Sequence, residues 1–110
     1  MSRDLLPVGT VVRLKDKEKA VMVSGYCPTG PARPGYVYDY SGFPYPEGYG
    51  EALQILQFDG DDIEKLLALG YQDAETSRYL KALNEKIEEI KQKTAENYEK
   101  AKAELEAKQE

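Results

Sequence analysis

Two apolar, β-branched segments flank a run of five charged residues in the stretch TVVRLKDKEKAVMVSGY, residues 10–26. Thr10–Leu14 and Ala20–Tyr26 are rich in the residue types that favour strands. The charged run between them, Lys15–Lys19, fits a tight turn. The pattern therefore predicts a β-hairpin over residues 10–26, the beginning of an antiparallel sheet.

Two further strands are predicted after the hairpin. Residues 27–35 contain three Pro and two Gly and predict a loop. Tyr36–Tyr40 alternates, with three tyrosines on one face, and predicts a strand. The turn-rich segment 41–50 predicts a second loop, and Leu53–Phe58 predicts a half-buried strand.

The second half of the chain is predicted to be helical. Acidic residues from Asp59 onward predict the first turn of a short helix, whose stop is Gly70. Its apolar residues fall at i, i+3 and i+4: Ile63, Leu66 and Leu67. Residues 73–110 contain neither Gly nor Pro, so a long helix is predicted over about 74–108 with Asp73 as its N-cap.

These elements predict an α+β fold: a small bent antiparallel sheet or partial β-barrel, then a short helix and a long C-terminal helix. We expect a β-rich domain over residues 1–72 and a charged, amphipathic helix over residues 73–110. The long helix carries apolar residues at coiled-coil spacing, namely Leu80, Leu83, Ile87 and Ile90. This seam either packs on the protein's own β-domain or binds a partner or a second copy, and we predict Leu83, Ile87 and Ile90 as packing residues.

Composition excludes several classes of function. The chain has 110 residues, a formal charge of −5, one Cys and no His. Without His there is no Ser/His/Asp triad and no His-ligated zinc, and the single Cys27 excludes an intramolecular disulfide. The acidic charge disfavours nucleic acid, and neither the N-terminus nor any apolar run suits export or a membrane span. We expect a cytoplasmic binding module without catalytic residues, cofactor or metal.

Aromatic side chains are the most distinctive feature of the first half. Tyr is common at recognition surfaces because it combines a large rigid contact area with a polar tip. Six residues are therefore predicted to form one partner-binding surface: Tyr36, Tyr38, Tyr40, Phe43, Tyr45 and Tyr49. The alternative is that the strand tyrosines fill a small core that lacks Trp.

Several sequence blocks, taken in order, resemble a known family. They are LPVGTVVRL (6–14), VMVSGY (21–26), YVYDYSGFPYPEGY (36–49), Phe58 before DDI (61–63), and LGYQDAE (69–75). Together, over residues 5–77, they resemble small uncharacterised proteins encoded beside LXG-toxin genes in type VII secretion loci of Gram-positive bacteria. The resemblance implies a non-enzymatic cytoplasmic adaptor or chaperone that binds a toxin polypeptide before export, and it transfers no catalytic residue.

Three other functions stay open at this point. An immunity protein would bind and neutralise the toxin, and an acidic surface suits mimicry of nucleic acid. An enzyme would need carboxylates such as Asp39 and Glu47 to converge. A secreted substrate is suggested only by the Tyr71-x-x-x-Glu75 pattern.

Overall fold

The computed structural model describes residues 4–50 and 55–108 of the chain. It shows a five-stranded antiparallel sheet followed by one long helix, which confirms the predicted α+β class. The elements are β1 (Val11–Leu14), β2 (Ala20–Tyr26), β3 (Tyr40–Pro44), β4 (Leu56–Phe58), β5 (Ile63–Ala68) and α1 (Ala74–Lys108). The strand order is β4-β3-β2-β1-β5, so the sheet is open and has β4 and β5 at its edges.

The predicted hairpin is confirmed. β1 and β2 pair antiparallel with Val12 opposite Val21. These two valines are buried on the same face of the sheet, as alternation along a strand requires. In the connecting turn Asp16 has a φ of 63°, a left-handed conformation that a short polar side chain tolerates.

The prediction of a strand over Tyr36–Tyr40 and a loop over 41–50 is wrong in its boundaries. The strand begins at Tyr40 and runs through Pro44, inside the predicted loop. Gly42 does not mark a turn there. A Cβ at Gly42 would lie 2.7 Å from Val21 Cγ1 and 3.0 Å from Phe58 Cε1, so the glycine allows neighbouring side chains to pack against the strand.

The predicted short helix is also wrong. One turn of 3-10 helix covers Gly60–Asp62, and the residues that follow form β5, which pairs antiparallel with β1. Two register shifts interrupt this pairing, so the leucines of β5 do not follow simple strand alternation. Gly70 ends no helix; its N–H donates a hydrogen bond to Thr10 Oγ1 at 3.0 Å.

Helix α1 packs across one face of the sheet. Leu80 is its most buried residue, and Leu83 and Ile87 pack against the same core. The core residues contributed by the sheet and the N-terminal segment are Leu5, Val12, Val21, Val23, Tyr40 and Phe58. Asp73 caps the helix as predicted, because its Oδ1 accepts a hydrogen bond from the Thr76 N–H at 2.9 Å. Residues 53 and 54 of the predicted strand 53–58 lie outside the described residues, and the observed strand β4 begins at Leu56.

Candidate functional site: an apolar sheet edge and separated aromatic clusters

Tyr40 belongs to the core and not to a contact surface. The residue is only 2% exposed, and its ring stacks on Phe58 with centroids 5.3 Å apart. Its hydroxyl oxygen accepts a hydrogen bond from the Leu6 N–H at 2.9 Å. The alternative prediction, that strand tyrosines fill the core, therefore holds for this residue.

Tyr36 and Tyr38 lie in the connection before β3, where their rings meet edge to face at 4.9 Å. The guanidinium of Arg33 lies 3.6 Å from the centroid of the Tyr36 ring, a cation–π contact. The Tyr36 hydroxyl donates a hydrogen bond of 2.5 Å to Asp59 Oδ2, and this bond raises the pKa of the tyrosine. Tyr36 is thus tied into the structure by both its ring and its hydroxyl.

Tyr36 belongs to a polar network that joins helix α1 to the sheet. We call this group the Lys91 network, and its members are Tyr36, Asp39, Asp59 and Lys91. Lys91 Nζ lies 2.5 Å from Asp39 Oδ1 and 4.0 Å from Asp59 Oδ1. The Asp39 N–H donates to Asp59 Oδ1 at 2.9 Å, and the Gly60 N–H donates to Asp39 Oδ2 at 2.8 Å.

Burial alone would lower the pKa of Lys91. The hydrogen bond and charge of Asp39, with the charge of Asp59, outweigh that effect and raise the pKa above its ordinary value. The ammonium group is therefore held in its charged form. We interpret the network as a structural connection, because the carboxylates of Asp39 and Asp59 already accept hydrogen bonds from donors of the protein itself.

Asp39 and Glu47, the two carboxylates that an enzyme would need to bring together, bind different partners. Asp39 bonds to Lys91, whereas Glu47 pairs with Lys19 Nζ at 2.5 Å beside the β1–β2 turn. Within residues 4–50 and 55–108, no cluster of three or more His, Cys, Asp or Glu side chains is arranged to hold a metal ion. Burial raises the pKa of the Cys27 thiol, which disfavours the reactive thiolate.

The remaining predicted aromatics are Phe43, which lies in β3, and Tyr45 and Tyr49, which follow that strand. Phe43 stands across from Met22 in the β2–β3 register and alternates with Gly42, which faces the core. Phe43 and Tyr49 meet edge to face at 5.5 Å, and Tyr45 and Tyr49 are exposed. The structure thus separates the six predicted residues into the buried Tyr40, the Tyr36–Tyr38 pair, the Phe43–Tyr49 pair and the exposed Tyr45. Their part in binding stays a prediction.

The predicted helix seam faces the protein's own sheet. Leu83 and Ile87 pack against the core, and Ile90 is half-buried. Farther along the helix the Tyr98 ring lies beside Gly35, where an added Cβ would be 2.7 Å from the ring. A partner could use the seam only if the helix left the sheet.

Sequence reasoning missed an apolar surface at strand β5. We call it the edge surface and define it by Leu66, Leu67 and Leu69, which are 49%, 42% and 52% exposed as residues, together with the exposed Val8. Leu66 stands opposite Val12 on β1, but as an edge residue it has a neighbouring strand on one side only. The sequence does carry a signal for this surface, namely the run of apolar residues. The helical spacing of those residues, however, predicts one face of a helix instead of an exposed strand.

Part of this surface is held in place by a close approach of two backbone segments. Gly70 lies directly against the Val8 carbonyl and Gly9, leaving no room for a side chain. Val8 therefore lies beside the end of β5. Where exposed apolar side chains form a patch, that patch is typical of an interaction site.

Comparison with known proteins gives one assignment. The family model described as "Domain of unknown function (DUF4176)" matches residues 5–79. No curated protein and no solved structure matches the chain. Among the described residues, the helix lacks the sustained apolar character that a bilayer span needs. Since the family model covers more than half of the sequence, this chain belongs to the DUF4176 family.

Proposed function

We propose that this protein is a non-enzymatic adaptor or chaperone that binds an LXG-type toxin polypeptide in the cytoplasm and supports its type VII secretion. The expected genomic context is that of the family which residues 5–77 resemble. The observation that carries a binding role is the edge surface, where Leu66, Leu67 and Leu69 are exposed beside Val8.

The physical argument concerns both the side chains and the backbone of β5. Covering an exposed leucine by a partner yields about 25 cal/mol for each Å² of apolar surface removed from water. An edge strand also presents backbone N–H and C=O groups that a neighbouring chain can pair with. A polypeptide partner satisfies both, whereas a small polar substrate satisfies neither.

Co-expression with an LXG toxin encoded next to this gene tests the proposal. The two proteins should co-elute from size exclusion, and deletion of this gene should lower toxin solubility or secretion. Separate elution together with unchanged secretion would contradict the proposal. Protection of cells from the toxin without any effect on secretion would instead indicate neutralisation, which an adaptor does not perform.

A further inference from the structure

Residues 4–6 lie between helix α1 and the sheet and are held there as a bound peptide would be. We call these residues the N-terminal strap, and we call the place they occupy the slot. The strap belongs to neither a helix nor a strand. Resting on the proposed function, we infer that an extended segment of the toxin displaces the strap and inserts an apolar side chain where Leu5 now lies. The strap then competes with the partner for the slot.

Side chains of the helix and the sheet bind the main chain of the strap. The Leu5 N–H donates a hydrogen bond to Asn84 Oδ1 of α1 at 3.0 Å. On the sheet side, the Leu6 N–H donates to the Tyr40 hydroxyl at 2.9 Å, and the Tyr26 hydroxyl donates to the Leu6 carbonyl at 2.5 Å. Because these bonds involve only main-chain groups of the strap, another extended segment in the slot can form them too.

Leu5 is the apolar anchor of the strap. It is 6% exposed and belongs to the same core cluster as Leu80 of α1. Leu6 is half-buried, and Asp4 is exposed. A segment that replaces the strap therefore needs one apolar side chain at the position of Leu5, while the main-chain hydrogen bonds supply the rest of the recognition.

The strap has open space beside it and a fixed turn after it. A cavity of about 420 Å³ borders Asp4 and Leu6, and another of about 460 Å³ borders Asp4 and Leu5. Pro7 is buried, and its carbonyl accepts a hydrogen bond from the Thr10 N–H at 3.2 Å. The strap can therefore leave the slot by a change at Pro7 while the turn stays in place.

The chemistry of the slot selects a polypeptide as the replacement. Departure of the strap would remove partners of the buried Tyr40 and of the half-buried Tyr26 and Asn84. Polar groups left unpaired away from water are costly, and the space vacated by Leu5 is apolar. An extended chain with an apolar side chain satisfies both requirements, whereas a small polar molecule satisfies only the first.

Amide hydrogen exchange of the wild-type protein tests the displacement. Exchange is compared between the free protein and its complex with an LXG toxin encoded next to this gene, by mass spectrometry of a fragment that contains Leu5 and Leu6. Both amides are hydrogen-bonded in the free protein, so displacement should make them exchange at least about 10-fold faster. The central strand β2 serves as the internal control and should not change.

The outcomes separate the inference from the proposed function. If no complex forms, the adaptor function falls and the inference falls with it. If the complex forms but the strap amides exchange at the same rate or more slowly, displacement alone is overturned. Exchange of straps between two copies would give a dimeric mass, with the strap amides still protected after the toxin is added, and would also overturn the inference.

A substitution in the strap provides a second test, because it should tighten binding. Leu5→Ala weakens the hold of the strap and leaves the bonding groups of the slot in place. Since a slot that is open more often raises the apparent affinity, the dissociation constant of the toxin complex should fall at least about 10-fold. The matched control is Leu56→Ala in β4, which shortens another leucine packed against the core and should leave the constant unchanged.

An unchanged or higher dissociation constant for Leu5→Ala would overturn the inference. The exchange measurement uses the wild-type protein, so its result holds whatever Leu5→Ala does to stability.

Discussion

Replacing Lys91 by methionine removes the one cation of the Lys91 network. Methionine keeps an unbranched apolar chain, so the packing of the lysine stem is largely retained. What disappears is the contact of 2.5 Å with Asp39 and the longer contact of 4.0 Å with Asp59. Both carboxylates then stand close together without a neutralising charge.

The expected cost follows from burial. The side chains of Lys91 and Asp39 are 23% and 22% exposed, between a surface pair and a buried one. Surface pairs contribute about 0–1 kcal/mol, while breaking a buried pair costs about 3–5 kcal/mol. Asp39 keeps its bond from the Gly60 N–H, which offsets part of the loss. We therefore expect Lys91→Met to lower the free energy of unfolding by about 2 kcal/mol.

Urea unfolding at pH 7, followed by circular dichroism, measures this loss. The matched control is Lys93→Met, two residues along the same helix, where Lys93 pairs with Glu89 at the exposed surface at 3.3 Å. The control should cost less than about 0.5 kcal/mol. Equal effects of the two substitutions would refute the reasoning that the Lys91 network fixes the helix to the sheet.

Three further predictions concern other contacts. Burial, with the neighbouring tyrosines, raises the pKa of Tyr26 from 10.0 to about 12. The stabilising contribution of this residue is therefore complete below pH 10 and is lost as the pH rises to about 12. In alkaline unfolding, Tyr26→Phe should lose stability less steeply over this pH range than the wild type. Gly35→Ala should destabilise the protein by at least about 1 kcal/mol more than Gly48→Ala in urea unfolding. Both glycines have a positive φ, but only at Gly35 does the new Cβ meet the Tyr98 ring. Asp73→Ala should lower the urea midpoint of unfolding, and Asp73→Asn should keep most of the wild-type midpoint because asparagine also caps helices.

The hairpin and the long helix could be predicted because local patterns determine them. β1 and β2 are joined by a short charged turn, and α1 has the periodicity, cap and absence of Gly and Pro that a helix requires. These signals lie within the elements themselves. Tertiary contacts then reinforce them, as Leu80 shows by packing into the core.

The parts that failed depend on residues distant in sequence. Ile63, Leu66 and Leu67 have the spacing of a helix face, yet pairing with β1 and its two register shifts make the segment a strand. Gly42 carries a turn signal in the sequence, but its role is set by Val21 and Phe58 across the sheet.

The candidate site was missed for a related reason. Exposure of the edge surface results from the place of β5 at the end of the strand order, which no local pattern records. The tyrosines likewise divide between core and surface according to strand register. Tyr40 faces the core because of its place in β3, opposite Tyr26 and Phe58.

The dissociation constant of the proposed complex with an LXG toxin, measured for a matched pair of variants, tests partner binding at the edge surface most directly. Leu67→Lys places a charge on the edge surface, while Leu105→Lys makes the same change at a leucine that is 59% exposed near the end of the helix. Loss of about 1.5 kcal/mol of apolar contact predicts binding weakened by about 10-fold for Leu67→Lys and unchanged for Leu105→Lys. Equal affinity of Leu67→Lys and wild type would contradict the account.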